Sequence, residues 1–218
     1  MSWAALTSGG KDSILSVQKA IDAGMDVEFM VTVYPENRDS YMFHSANIDA
    51  VAAIANVAGI KYIKIPTHGR KEEELADLEA GLASLDVEGV IAGAVESVYQ
   101  AERVKAITDR LGISLFTPLW HMDTEKLLEE VSRRMDVIIV VVAADGLDER
   151  FLGAHFDDEL ISRLKRVAST HHINLAGEGG EYETLTLNAP FYSRPITYTT
   201  GEIRSYPDRH EIVLGGFI

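Results

Sequence analysis

The chain has 218 residues, of which 46% are hydrophobic and 25% are charged, and its formal net charge is −14. This composition supports a sizeable core and argues against disorder, and the length fits one large domain or one domain with a smaller second one. The absence of cysteine excludes disulfides, thiolate nucleophiles, persulfide carriers and cysteine-ligated metals.

The first two thirds of the chain alternate between short apolar runs and helical stripes. The apolar runs predict strands at residues 4–7, 27–34, 60–65, 89–93 and 114–116. A helix is predicted after each strand, from apolar residues three and four positions apart. Such an alternation predicts an α/β fold with a five-stranded, mostly parallel, doubly wound sheet. Ligands collect at the carboxyl ends of the strands in such sheets.

The pattern changes after Arg134. A strong strand at residues 137–144 is followed by a turn, a helix at about 157–168, a stretch rich in glycine and glutamate, and β-rich sequence to the end. We therefore predict two domains, at residues 1–134 and 135–218, of which the second is a smaller α+β domain.

The first residues of the chain and its net charge predict its cellular location and the kinds of partner that it does not bind. Residues 1–4 lack the basic and apolar segments of a signal peptide, and the longest apolar run is shorter than a membrane span. We therefore expect a cytoplasmic protein that does not enter a membrane. The acidic balance opposes binding to nucleic acid and to anionic lipid. A phosphorylated ligand must then be held by local donors.

The segment Ser-Gly-Gly-Lys-Asp-Ser, from Ser8 to Ser13, directly follows the first predicted strand. Its glycines let several backbone N–H groups point at one place, and the helix that starts near Asp12 adds its unpaired N–H groups and the positive end of its dipole. Lys11 adds a positive charge and the two serines add hydroxyl donors. Asp12 either caps the helix or helps to hold a metal. Together they predict a polyphosphate cradle, and the alternative is a plain glycine-rich turn with a helix cap.

The spacing of this segment differs from that of the P-loop of kinases and GTPases. It resembles the PP-loop of the ATP pyrophosphatase superfamily, whose members split ATP into AMP and pyrophosphate. The resemblance implies an adenine nucleotide alpha-hydrolase-like (HUP) fold, with ATP and Mg²⁺ as cofactors. Asp12 is also the candidate magnesium ligand. The residues assigned to the ATP phosphates are Ser8, Gly9, Gly10, Lys11, Asp12 and Ser13.

A second segment, Gly-Glu-Gly-Gly-Glu-Tyr-Glu-Thr at residues 177–184, narrows the resemblance. It is similar to the signature of the diphthine–ammonia ligase family, and the chain resembles the short archaeal form of that family. The family uses ATP and ammonium to amidate diphthine, a modified histidine on translation elongation factor 2. The resemblance therefore implies a ligase that forms an acyl-adenylate, releases AMP and pyrophosphate, and takes elongation factor 2 as its protein partner. Homodimerisation is implied only at the level of the family. Further matches lie at residues 40–44, 93–94, 99–103, 117–120 and 146–153.

The resemblance also implies roles for individual residues. Adenine is expected against the backbone near Val33, at the end of the second strand, with His44 close by and Gly93 also at the nucleotide. The candidate substrate-binding residues are Tyr99, Gln100, Arg103, Gly179, Gly180 and Tyr182. The candidate catalytic residues are Lys11, Asp12, Glu178, Glu181 and Glu183.

The three glutamates favour a sharper hypothesis. Diphthine carries a trimethylammonium group, and such a cation suits carboxylates for charge and aromatic faces for cation–π contact. One or more of Glu178, Glu181 and Glu183 is therefore expected to hold that cation or the incoming ammonium. The alternatives are that Glu178 or Glu181 binds Mg²⁺ or caps a loop. The aromatic residues considered beside them are Tyr99, Trp120 and Tyr182.

Two other functions stay open at the level of sequence. Another PP-loop enzyme, one that adenylates tRNA, would need a basic face, and thiolation by persulfide would need cysteine; this chain has a net charge of −14 and no cysteine. A non-catalytic ATP-binding module would share the fold, but it would have no use for the glutamate-rich segment. A hydrolase is disfavoured because Ser13 has no visible His/Asp partners.

Overall fold

A computed structural model gives the fold of the chain and describes residues 2–35, 46–68 and 71–218, apart from the side chains at positions 71, 72, 99 and 100. The first part of the chain forms β1 (Ser2–Leu6), α1 (Lys11–Asp22), β2 (Asp26–Pro35), α2 (Ala50–Ala58), β3 (Lys61–Thr67), α3 (Lys71–Ala83), β4 (Gly89–Ile91), α4 (Val98–Leu111), β5 (Ser114–Phe116) and α5 (Thr124–Arg134). The rest forms β6 (Asp136–Val142), a short 3₁₀ helix (Glu149–Phe151), α6 (Asp158–Thr170), β7 (Tyr182–Asn188), β8 (Thr200–Tyr206) and β9 (Arg209–Gly215).

The first sheet has five strands in the order β3-β2-β1-β4-β5, and all neighbouring strands are parallel. This confirms the predicted α/β fold with a doubly wound sheet. The strand order reverses between β1 and β4, which places the crevice typical of such sheets beside the end of β1. One strand is shorter than predicted: β4 ends at Ile91 and not at Gly93, because its pairings with β1 and with β5 both end at Ile91.

Two hydrophobic clusters cover the two faces of the first sheet. Ala4 and Ala5 are fully buried neighbours on β1, and their side chains enter different clusters because successive residues of a strand face opposite ways. The Ala5 cluster includes side chains from α1, α2 and α5, whereas the Ala4 cluster includes side chains from α3 and α4. This packing fixes α1 against the middle of the sheet, with its first residue just beyond the end of β1.

The second sheet has four strands in the order β7-β6-β9-β8, and its neighbouring strands are antiparallel. Residues 137–142 of β6 are buried, and they belong to the same hydrophobic cluster as Leu15 of α1 and Leu128 of α5. The second sheet is thus packed on the face of the first sheet that carries α1. The division into domains at residue 134 stays a prediction.

The described helices differ from membrane-spanning helices. None of them combines the length and the apolar character that crossing a lipid bilayer requires.

Candidate active site

A cavity of about 400 Å³ lies at the carboxyl ends of β1, β2 and β4, where the order of the parallel strands reverses. Its volume is in the range of sites that bind small molecules. Part of its wall is apolar and comes from the first sheet and α4: Leu6, Val31, Val33, Ala92, Ala101 and Val104. A polar part comes from the loop after β1 and from the segment at 177–184: Ser8, Gly10, Lys11, Asp12, Ser13, Glu178, Glu183 and Thr184.

The loop after β1 turns sharply at its two glycines. Gly9 has a φ of +84°, a left-handed conformation that favours glycine, and it faces Ile54 and Leu185 of the core, so it does not line the cavity. Gly10 occupies the N-cap position of α1 without a side-chain hydrogen bond. The expectation that Asp12 caps the helix is therefore wrong, because the helix begins one residue earlier and places Asp12 in its first turn.

The first turn of α1 also touches the segment after β4. A β-carbon placed on Gly93 would lie 2.9 Å from the backbone carbonyl carbon and oxygen of Asp12 and from the backbone nitrogen of Ser13. Real β-carbons do not approach backbone so closely. Glycine at this position is therefore what lets α1 start against the sheet.

Backbone N–H groups at the start of α1 are available to a ligand. The N–H of Lys11 donates to Thr184 Oγ1 at 3.0 Å. Those of Asp12 and Ser13, the next two in the helix, have no acceptor among the described residues. Unpaired N–H groups at a helix N-terminus form an anion-binding site, so this turn fits a phosphate group.

The side chain of Lys11 points towards the second part of the chain. It is 4% exposed, its Nζ donates to Asp12 Oδ2 at 2.7 Å, and it also donates to the carbonyl of Ala176. Its Nζ lies 5.5 Å from the centre of the Tyr182 ring. The lysine thus connects the start of α1 to the segment that precedes the glutamates, and its contact with phosphates stays a prediction.

Asp12 has the features of a ligand for a metal that arrives with phosphates. Its Oδ1 atom is buried and has no hydrogen-bond partner among the described residues. No group of three or more histidines, aspartates or glutamates among these residues is arranged to hold a metal by itself. Mg²⁺ is commonly held by one or two carboxylates together with substrate phosphates, and Asp12 fits that arrangement.

Glu178 lies on the cavity wall and accepts a hydrogen bond from the N–H of Glu96, at 3.3 Å from its Oε2. Burial, and after it the nearby Asp12 carboxylate, raise the pKa of Glu178 above its ordinary value. The carboxylates of Asp12 and Glu178 therefore repel each other, and the ammonium of Lys11, which binds Asp12, offsets part of this repulsion.

Glu178→Gln is expected to increase the free energy of unfolding at pH 7. Because the folded-state pKa is raised, keeping this carboxylate ionised costs the folded chain free energy at any pH above that pKa. Below the unfolded-state pKa the residue is protonated in both states, so the gain should disappear there. Urea denaturation at pH 7 and pH 4 measures both effects, with Glu102→Gln on the exposed face of α4 as control. An equal gain at both pH values would contradict this explanation.

The other two glutamates differ in their surroundings. Glu181 accepts hydrogen bonds from the N–H groups of Asn174 and Gly179, at 2.8 and 2.9 Å, and is not part of the cavity wall. It caps the loop that carries Glu178, which is one of the alternatives expected from the sequence. Glu183 lies on the wall and accepts from the N–H of Ala46 at 2.9 Å. The catalytic assignments of the glutamates stay predictions.

Two of the aromatic residues predicted beside the glutamates, Tyr182 and Trp120, are in contact with other residues of the chain. Tyr182 is buried, its hydroxyl donates to the carbonyl of Leu175 at 2.6 Å, and burial raises its pKa well above the ordinary value. Its ring lies on the cavity wall but already meets the ammonium of Lys11. Trp120 packs beside His121 at 4.6 Å between ring centres and does not line the cavity.

Some of the remaining predicted site residues lie on the cavity wall and others do not. Val33, Gly93 and Gly180 lie on the cavity wall, whereas Arg103 and Gly179 do not. His44 lies outside the described residues, as do the side chains of Tyr99 and Gln100.

Sequence reasoning assigned no role to Thr184, although it ends the glutamate-rich segment. Its hydroxyl accepts from a backbone N–H that is 173 positions away in the sequence. A threonine inside a predicted strand is ordinary, so no local signal distinguishes this one from its neighbours.

This chain is similar to family models, to named proteins and to a solved structure. A family model described as the diphthamide synthase N-terminal domain matches residues 1–115, and one described as the diphthamide synthase C-terminal domain matches residues 123–211. The proteins named diphthine–ammonia ligase from Bos taurus and Homo sapiens are each 31% identical to this chain, covering 92% of it and 84% of their own length.

The Schizosaccharomyces pombe protein of the same name is also 31% identical, over 91% of this chain, but the chain spans only 36% of its length. Among solved structures, one described as a predicted subunit of a tRNA methyltransferase from Methanocaldococcus jannaschii matches with a TM-score of 0.52. It is 16% identical and covers 87% of this chain and 98% of its own, so this likeness supports the α/β fold and nothing finer.

Proposed function

The chain belongs to the diphthine–ammonia ligase family of diphthamide synthases, and from this premise we propose that it uses ATP to join ammonia to the carboxylate of diphthine on translation elongation factor 2. The proposal includes an acyl-adenylate intermediate, the release of AMP and pyrophosphate, and ammonium as the nitrogen source. It also places the chain in the cytoplasm. The homodimer implied by the family stays a prediction.

One observation carries the proposal. The N–H groups of Asp12 and Ser13, in the first turn of α1, have no acceptor among the described residues, and both residues line the cavity. In a chain with a net charge of −14, such a local donor site is what can hold a polyphosphate. The apolar wall formed by Val31 and Val33 fits an adenine ring beside it.

The chemistry requires activation because a carboxylate has no good leaving group. An oxygen of the diphthine carboxylate attacks the α-phosphorus of ATP, a bond forms between them, and the bond to the β-phosphate oxygen breaks to release pyrophosphate. Ammonia then attacks the carbonyl carbon, and the bond to the AMP oxygen breaks. The contribution of the protein is to position these groups and to stabilise the developing charge.

The chain's own residues serve each step. The first turn of α1 binds the phosphates that leave, and Asp12 would hold Mg²⁺, which neutralises phosphate charge when bound. Glu178, which lies on the cavity wall and interacts electrostatically with Asp12 of this turn, is the group that would accept the proton that ammonium loses before it attacks. Glu183, also on the wall, has the guanidinium of Arg209 3.9 Å from its Oε1, and it is the candidate contact for the trimethylammonium of diphthine.

The test is an assay with elongation factor 2 that carries diphthine, together with ATP and ammonium. The expected products are AMP, pyrophosphate and an amide at the modified histidine, detected by chromatography and by mass spectrometry of the protein substrate. Omission of ammonium should prevent amide formation. Release of ADP would contradict the adenylation chemistry. Binding of ATP without any AMP would indicate a nucleotide-binding module, and AMP formed only with tRNA would indicate another adenylating enzyme.

A further inference from the structure

We propose that Thr184 is a positioning residue for the nucleotide phosphates, acting from the second sheet through its hydroxyl group on the start of α1. The identity of the ligand rests on the proposed function, but the contacts that carry the inference do not. Thr184 itself lies on β7, next to the loop between β1 and α1, and is not part of that loop.

The outer edge of β7 runs along the loop that follows β1. β7 is the first strand in its sheet, so only one of its edges pairs with β6. At the other edge, the N–H of Thr186 donates to the carbonyl of Gly9 at 2.9 Å, and Thr184 Oγ1 accepts from the N–H of Lys11 at 3.0 Å. The loop thereby covers a strand edge that would otherwise have exposed backbone groups.

The contact of Thr184 replaces a cap that α1 lacks. Helices commonly begin with a serine, threonine or aspartate whose side chain accepts an N–H of the first turn. In α1 that position is Gly10, which has no side chain, and the acceptor comes from Thr184 instead. Thr184 is buried, so water does not readily take over the role if its hydroxyl is removed.

The direction of the first turn follows from this contact. With the N–H of Lys11 held towards β7, the next two N–H groups, those of Asp12 and Ser13, are left for the cavity. The backbone around Gly10 is also close to Thr184, because a β-carbon on Gly10 would lie 3.3 Å from the Thr184 carbonyl oxygen. A small shift of this turn would therefore change where the phosphates are held.

The experiment compares ATP binding to the full chain and to variants at one position by isothermal titration calorimetry. Thr184→Val keeps the volume and removes the acceptor, whereas Thr184→Ser keeps the acceptor. We expect Thr184→Val to bind ATP about tenfold more weakly. The reason is that the N–H of Lys11 loses its acceptor, so the first turn of α1 is no longer held in place. Thr184→Ser should restore most of the affinity. Thr108→Val is the matched control, since its buried hydroxyl donates within α4, to the carbonyl of Lys105.

Thermal unfolding of the same variants separates positioning from general stability. If Thr184 only stabilises the fold, Thr184→Val lowers the melting temperature but binds ATP like the unaltered chain, and the inference is overturned. It is equally overturned if Thr184→Ser binds as weakly as Thr184→Val. An unaltered chain that binds no ATP overturns both this inference and the proposed function. Should Thr184→Val not fold, Thr184→Ala against Thr184→Ser gives the same comparison.

Discussion

Gly93→Ala is expected to remove nearly all ATP binding and most of the ligase activity. The new methyl group would lie 2.9 Å from backbone atoms of Asp12 and Ser13, which cannot rotate away as a side chain could. The first turn of α1 must then shift, and a displacement of about 1 Å at a catalytic site costs on the order of 100-fold in rate. Crowding of this kind also lowers the free energy of unfolding by about 1–3 kcal/mol.

The measurements are the ATP dissociation constant by calorimetry and the rate of AMP release with the protein substrate. Gly24→Ala is the matched control, because Gly24 follows the other end of the same helix, has open space around it and has a φ of +79°. That variant should lose about 1 kcal/mol of stability, from the left-handed backbone alone, and keep its ATP affinity. Unchanged ATP affinity in Gly93→Ala would show that the start of α1 does not hold the nucleotide.

Glu178→Gln is expected to lower the rate of amide formation about 100-fold or more, the usual loss when a proton acceptor is removed. Glutamine can still accept the hydrogen bond from Glu96 N–H, so the loop should keep its shape. It cannot take a proton from ammonium. The variant should therefore bind ATP as well as the unaltered chain does and, with the Asp12 repulsion removed, should be more stable at pH 7.

Single-turnover assays that follow AMP and amide together locate the affected step. Glu102→Gln, on the exposed face of α4, controls for the loss of one negative charge. Glu183→Gln gives a second comparison, because a residue that holds the trimethylammonium should raise KM for the protein substrate with little change in kcat. A Glu178→Gln variant that forms amide at the unaltered rate would exclude Glu178 as the proton acceptor.

The conformation of the loop after β1 could be predicted from the sequence because its signal is local, whereas its binding of phosphates stays a prediction. A strand, two glycines, a lysine and a helix follow one another within the first 22 residues, and each has a conformational preference that neighbours do not override. The five-stranded sheet was predictable for the same reason, since every one of its strands precedes a helical stripe. The short extent of β4 was not predictable, because it depends on where its pairings with β1 and β5 end.

Contacts between residues that are far apart in the sequence could not be predicted, because no local pattern indicates them. Lys11 was predicted beside phosphates from its place in the loop, but its ammonium also meets the carbonyl of Ala176, 165 positions away. The three glutamates look alike in the sequence, yet Glu181 caps its own loop while Glu178 and Glu183 line the cavity. The difference follows from the path of the loop at residues 174–181, and composition and alternation carry no information about that path.

The hydrogen bonds between β7 and the loop after β1 have a consequence for a chain that is still being synthesised. Polypeptides emerge from the ribosome with the N-terminus first, and N-terminal regions commonly begin to fold before the rest exists. The glycine loop is made early, whereas Thr184, which holds Lys11, and Thr186, which holds Gly9, are added more than 170 residues later. A nascent chain that does not yet include β7 therefore lacks the strand that holds the start of α1 and the loop before it.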